Sequence, residues 1–184
     1  LSQLGDKKSA KESFMVSANF DYTFYGQLSL ERLNINPSPR YIRKKDSKDF
    51  KIDNQKDLVE VATALYFAER GVLSDYIFGY LAKDLSEPDR NKLCDILYNA
   101  GFIKGSLTVA KKSTNKGKPS YSELFPVGKG FVFDQGVDKA LILSVIIQES
   151  EFFRAAKSGT VALGLMQLMP NTAKEVAGKL KIKY

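Results

Sequence analysis

The chain has 184 residues, 43% of them hydrophobic, enough for one or two small domains with apolar cores. It contains no histidine, no tryptophan and one cysteine, Cys94, so a Ser-His-Asp triad, a Cys-His pair, a histidine-ligated zinc and an internal disulfide are excluded within these residues. The 28 Lys+Arg against 21 Asp+Glu leave a net charge of +7, which favours an anionic partner such as nucleic acid, a membrane surface or the bacterial wall without choosing among them.

The chain opens on Leu1, not methionine, and a processed or truncated start is expected, with any export signal lying upstream. No stretch approaches the roughly 18 apolar residues of a membrane span, so no stable membrane insertion is expected. Ser17 to Leu33 holds Phe20, Tyr22, Phe24, Tyr25, Leu28, Leu30 and Leu33 and reads as one helix with its aromatics in a core. Asn36 to Asp49, with two prolines and charges of both signs, reads as a solvated connector. From Asp57 the apolar residues recur at helical spacing as far as Gly71, which reads as the stop.

A second helix is expected from Ser74 to Leu85, and a third from Asp89 to Ala100 behind the start signal Ser86-Glu87-Pro88-Asp89. Gly101 ends it, and helical spacing resumes from Phe102 to Lys111. Cys94 reads as a buried structural thiol. Gly71 and Gly101 stand 30 residues apart (71 to 101), and a helix, glycine, helix unit used twice suggests stacked helical hairpins of solenoid type.

The segment from Lys111 to Ser122 has little to bury and reads as a linker. Its Lys116-Gly117-Lys118-Pro119-Ser120 lacks the glycine spacing, the Lys-Ser/Thr ending and the preceding strand of a phosphate loop, so no nucleotide site is expected. The resulting division is 1–112 as a helical-hairpin region, 113–120 as linker and 121–184 as a second domain.

Asp138 to Glu149 is apolar on nearly every side, so this helix is expected to be buried, with Asp138 at its start where a carboxylate suits the helix dipole. Glu149 would then sit at the inner end of a core helix. There a carboxyl group loses solvation when ionised, its pKa rises, and it can serve as a general acid. The alternative is that Glu149 merely ends the helix and points to water. Ala162-Leu163-Gly164-Leu165-Met166-Gln167-Leu168-Met169-Pro170-Asn171-Thr172-Ala173 follows at short range.

Gln148-Glu149-Ser150-Glu151-Phe152, then Ala156 and Ser158, then Gly164-Leu165-Met166-Gln167-Leu168-Met169-Pro170 with Thr172-Ala173, closely resemble the soluble lytic murein transglycosylases. Phe24-Tyr25-Gly26-Gln27-Leu28 with Glu31-Arg32-Leu33 looks like the end of that family's helical superhelix, and Tyr121 to Pro126 like the approach to its catalytic domain. The fold implied is mainly α: a helical-hairpin superhelix segment followed by an incomplete lysozyme-like domain.

The activity implied is cleavage of the β-1,4 bond between N-acetylmuramic acid and N-acetylglucosamine in peptidoglycan glycan strands, without water, to a 1,6-anhydro product. Carried over by motif, Glu149 is the sole acid/base catalyst. Ser150 orients the carboxyl or a sugar N-acetyl group, Gln167 offers an amide to substrate or backbone, Met166 forms an apolar wall and Gly164 lets the backbone approach closely. Leu165, Leu168 and Met169 are read as core. Ordinary glycosidases need two carboxyls facing each other across the bond at roughly 5 to 9.5 Å. Glu151, two positions from Glu149, would point away on a helix and is read as a surface charge.

No metal and no organic cofactor are implied, since one carboxylic acid in a shaped cleft suffices. A periplasmic location follows from the resemblance, wall-synthesis protein partners are undefined, and nucleic acid is not expected because acidic residues interrupt the lysine runs. The chain departs from the family pattern at Val161, usually glycine, Phe153, usually asparagine, and Leu163, usually basic or small. No Asn-Ala-Tyr-Asn-type motif occurs before Tyr184, so a truncated catalytic domain without turnover by itself is expected. The competing expectation is a catalytically incomplete helical scaffold or glycan-binding fragment.

Overall fold

A computed structural model describes residues 5–36, 55–114, 121–127 and 136–183. Beyond Asn36, the connector read from Asn36 to Asp49 lies outside them, as do residues 115–120 of the linker. The helices are α1 (Lys7–Ala18), α2 (Phe24–Arg32), α3 (Lys56–Phe67), α4 (Gly71–Asp84), α5 (Glu87–Asn99), α6 (Ile103–Thr114), α7 (Tyr121–Leu124), α8 (Lys139–Ser150) and α9 (Pro170–Leu180). The protein is thus mainly α, as expected. No helix among the described residues is long and apolar enough to cross a membrane.

Packing divides the chain into Leu1–Asp46 and Ser47–Tyr184. In the first unit α1 packs on α2. The aromatic stretch is not one helix, because the Thr23 hydroxyl accepts from the Gly26 amide at 3.0 Å and starts α2 afresh. Nor do its aromatics form a core: Phe20, Phe24 and Tyr25 are exposed, and Leu30 is the buried apolar side chain of α2.

In the second unit α3 pairs with α4 and α5 with α6, while α4 also packs on α6. Phe78, Leu81, Leu93, Leu97, Leu107 and Val109 fill the shared interior. Less of α3 is buried than its apolar spacing implies, and Ala62 is its buried residue. Cys94 is buried, as expected, and its thiol and the Ser106 hydroxyl tie α5 to α6: Cys94 Sγ donates to the Ser106 carbonyl at 3.4 Å, and Ser106 Oγ donates to the Cys94 carbonyl at 2.9 Å. Ser86 caps α5 by accepting from the Asp89 amide, with Pro88 in the first turn where its missing N–H costs nothing.

The hairpin repeat is present with a different register. After α3, Glu69 takes a φ of 58°, its amide donates to the Tyr66 carbonyl and the Arg70 amide to the Leu65 carbonyl. After α5, Gly101 takes a φ of 82°, its amide donates to the Tyr98 carbonyl and the Phe102 amide to the Leu97 carbonyl. These are matching left-handed helix caps, 32 residues apart (69 to 101). Gly71 is not the stop of α3 but the first residue of α4. A Cβ there would lie 2.7 Å from Phe153 Cζ, so glycine serves close approach of an aromatic ring.

The second unit also includes α8 and α9, and α6 runs through Ser113 and Thr114. Tyr98 and Ile103 of the hairpins form one apolar cluster with Leu143 and Ile146 of α8 and with Phe152. The hairpins are therefore the floor on which the end of α8 rests.

Candidate active site

Asp138 caps α8, its carboxylate accepting from the Ala140 amide at 2.7 Å. Leu143, Ile146 and Ser150 recur at three- and four-residue steps and face inward, whereas Leu141 is 58% exposed. The helix is buried along one stripe rather than all round, which corrects the expectation from its apolar composition. Glu149 lies off that stripe and is exposed. Among the described residues the apolar seat expected for its carboxyl is not found, because a residue one step before the buried Ser150 is rotated about 100° away from the core.

Ser150 is the link between the two motifs. Its hydroxyl lies 2.7 Å from the Leu165 carbonyl and 3.2 Å from that of Ile146, binding the Gly164–Gln167 turn to the last turn of α8. It is buried, and the contacts it makes are to these backbone carbonyls, through which it holds the turn. The Glu-Ser pair and the Gly-Leu-Met-Gln turn, read as separate segments in sequence, are thus neighbours in space.

The turn is closed by Leu163 and Leu168, whose amides and carbonyls bond reciprocally at 3.0 and 3.1 Å. Gly164 enters it at a φ of 76°, with the nearest atom to a hypothetical Cβ 4.0 Å away, so conformation and not crowding calls for glycine. Gln167 has a φ of 47°, and its side-chain amide donates to the Ala156 and Gly164 carbonyls at 3.1 and 2.9 Å. Of the two roles read for Gln167, the structure shows the backbone one. Met166 is 40% exposed beside it, and Leu168 and Met169 are exposed rather than core, while Leu165 packs on the α8 cluster. Val161, at the position usually glycine, has a φ of 64°, a strained conformation for a β-branched residue.

Glu151 overturns its reading as a surface charge. It caps α8 in the left-handed conformation, and its half-buried carboxylate pairs with Lys104 at 3.2 Å and with Lys111. Burial pushes the Glu151 carboxyl up, but the Lys111 and Lys104 ammoniums outweigh that and hold it below the ordinary glutamate range. Lys104, its side chain only 10% exposed, also pairs with Asp75 at 2.9 Å. Burial lowers its pKa, but Asp75 and then Glu151 more than offset this and raise it above the usual lysine value. Phe153 adds an aromatic contact, its ring centroid 5.4 Å from that of Tyr66 and 5.9 Å from the Lys104 nitrogen. One signal for Lys104 was present in the sequence: a lysine among Phe102, Ile103 and Leu107 on a buried helix requires a carboxylate partner.

Residues 133–184 match the family model of the Transglycosylase SLT domain. The resemblance read from the Glu-Ser and Gly-Leu-Met-Gln segments is therefore shown over the part of the chain that carries them. The fold matches the crystal structure of the 70-kDa soluble lytic transglycosylase Slt70 from Escherichia coli with a TM-score of 0.73 at 18% identity over 100% of this chain. A complex of the 70-kDa soluble lytic transglycosylase with bulgecin A matches with 0.74 at 18% identity over the same share. An inactive glutamate-to-glutamine mutant of the lytic transglycosylase Slt from Pseudomonas aeruginosa matches with 0.61 at 21% identity over 98%. The chain spans 30% of the length of each of these solved chains.

Proposed function

We propose that the protein is a peptidoglycan lytic transglycosylase in which Glu149 is the single acid/base catalyst. The observation that carries this reading is the Ser150 bridge, which sets a glutamate on an exposed helix end directly beside a glycine-containing turn within the SLT-matching segment. The inactive glutamate-to-glutamine mutant among the similar structures supports a glutamate-dependent chemistry.

In this mechanism the protonated Glu149 carboxyl gives its proton to the glycosidic oxygen between N-acetylmuramic acid and N-acetylglucosamine as the C1–oxygen bond breaks. The resulting carboxylate then takes the proton of the muramic C6 hydroxyl, whose oxygen bonds to C1. The product is the 1,6-anhydro sugar, and Glu149 ends protonated again. Because Glu149 is exposed, the bound glycan itself must exclude water from the carboxyl, as a sugar ring laid over it would from one side. Met166 offers that ring an apolar contact, and Gly164 and Gln167 hold the turn that carries Met166. Ser150 acts through the same turn.

In functional terms residues 1–112 are the helical-hairpin region, 113–120 the connection and 121–184 the catalytic part. The net charge of +7 suits an anionic wall polymer in the periplasm. The exposure of Glu149 favours a second reading, a helical scaffold or glycan-binding module without turnover. Digestion of purified peptidoglycan by the complete gene product, followed by mass spectrometry, separates the two. Release of 1,6-anhydromuropeptides that falls by about 10²–10⁴-fold in Glu149→Gln supports the enzyme. No such products, or their persistence in the variant, supports the scaffold.

A further inference from the structure

We infer that Lys104 is a positioning residue for the proposed reaction: gripping Glu151 from the hairpins, it fixes the direction in which the end of α8 presents Glu149. This rests on the reading of Glu149 as the catalyst. The chain leaves α8 through two consecutive left-handed residues, Glu151 at a φ of 52° and Phe152 at 67°, neither of them glycine. Such conformations are strained for residues that carry a Cβ and persist only where the surroundings impose them.

The hairpins impose them through one connected set of contacts. Asp75 on α4 accepts from the Thr108 hydroxyl at 3.0 Å and pairs with Lys104 on α6. Lys104 and Lys111, both on α6, hold the Glu151 carboxylate. Phe152 is buried in the cluster with Tyr98 and Ile103, and Phe153 lies against Gly71. Between Glu149 and Glu151, the Ser150 bridge ties the helix to the turn. Glu149 is thus followed at once by two anchored residues, Ser150 held by the turn and Glu151 held from the hairpins by Lys104 and Lys111. Without that clamp the last turn of α8 is free to fray, and the carboxyl loses its aim while the turn that would contact substrate stays in place.

The test uses steady-state release of anhydromuropeptides by the complete gene product, with Lys104→Met, Lys104→Arg, Glu151→Gln and Glu149→Gln compared well below their melting temperatures. The inference expects kcat to fall by about 10²-fold in Lys104→Met and in Glu151→Gln, since a misplacement near 1 Å can cost that much. KM should stay within about twofold, because loss confined to kcat marks an effect on the transition state rather than on substrate binding. Lys104→Arg, which retains a cation between both carboxylates, should restore most of kcat. Where Lys104→Met does not fold, Glu151→Gln carries the test alone, since it removes one charge from a half-buried group. A Glu151→Gln enzyme with wild-type kcat, alongside an inactive Glu149→Gln, overturns the inference and leaves the proposed function standing. An active Glu149→Gln overturns both.

Discussion

The two hairpins α3–α6 and the segment from α8 to α9 belong to one packed unit but are held together by different physics. The hairpins bury large side chains completely, Phe78, Leu81, Leu93 and Leu107 among them, and end their first helices in matching left-handed caps. In the α8–α9 segment Leu141, Leu163, Met166, Leu168 and Met169 are substantially exposed. Its order comes instead from hydrogen bonds: the Ser150 bridge, the Gln167 amide and the reciprocal Leu163–Leu168 pair. It also carries non-glycine residues at positive φ in Glu151, Phe152, Val161 and Gln167. A region that leaves so many apolar side chains exposed has few to bury, so polar contacts within the segment and the ion pairs of Glu151 to α6 hold it instead.

If that contrast is right, truncating the two regions has unequal consequences. Phe78→Ala should destabilise the second unit by about 3–5 kcal/mol, through lost transfer energy and the cavity left behind. Leu168→Ala, on an exposed side chain, should cost less than about 1 kcal/mol. Denaturant unfolding followed by circular dichroism checks both, and equal losses would erase the distinction. The strain in the second region is open to relief, since Val161→Gly lets that position hold its φ without a Cβ clash. A gain of about 1 kcal/mol is expected, the strain released less the added freedom of glycine in the unfolded chain. A loss of stability on calorimetry would mean that Val161 sits there comfortably.

The smallest expected effect lies in the pH dependence of the junction. The folded Glu151 carboxyl titrates below its ordinary value of about 4.3, so its contribution is fully present above that pH. It is lost as acid takes the pH down through the folded value. Lys104 titrates above its ordinary range and contributes throughout neutral and acid conditions, being lost only as the pH rises through its own folded value. Between about pH 5 and 3 the melting temperature of the wild type should therefore fall more steeply than that of Glu151→Gln. Parallel curves would show that the ion pairs contribute nothing across this range.

Local signals located the helices well. Ser86 with Pro88, Gly101 and Asp138 each mark a helix end through chemistry contained within a few residues, and each stands where its sequence context places it. The repeat was legible as well, but its register was not. Glu69, the true counterpart of Gly101, carries no mark of the left-handed conformation, whereas Gly71 looks like a stop and is needed for the ring of Phe153. Burial was the least legible property. Phe24 and Tyr25, both 72% exposed, are as apolar in sequence as any core residue.

The sequence by itself determined that the chain is mainly helical and where α5 and α8 begin, that histidine and disulfide chemistry are absent, and that a Glu-Ser pair is followed by a Gly-Leu-Met-Gln segment, because caps, composition and short motifs are local. Only the tertiary structure decided that Ser150 joins those two motifs, that Glu149 faces outward and that Glu151 is gripped by Lys104 and Lys111. Those outcomes depend on which helix faces meet, and a side chain 47 residues distant along the chain becomes a partner only once packing has brought it within 3.2 Å.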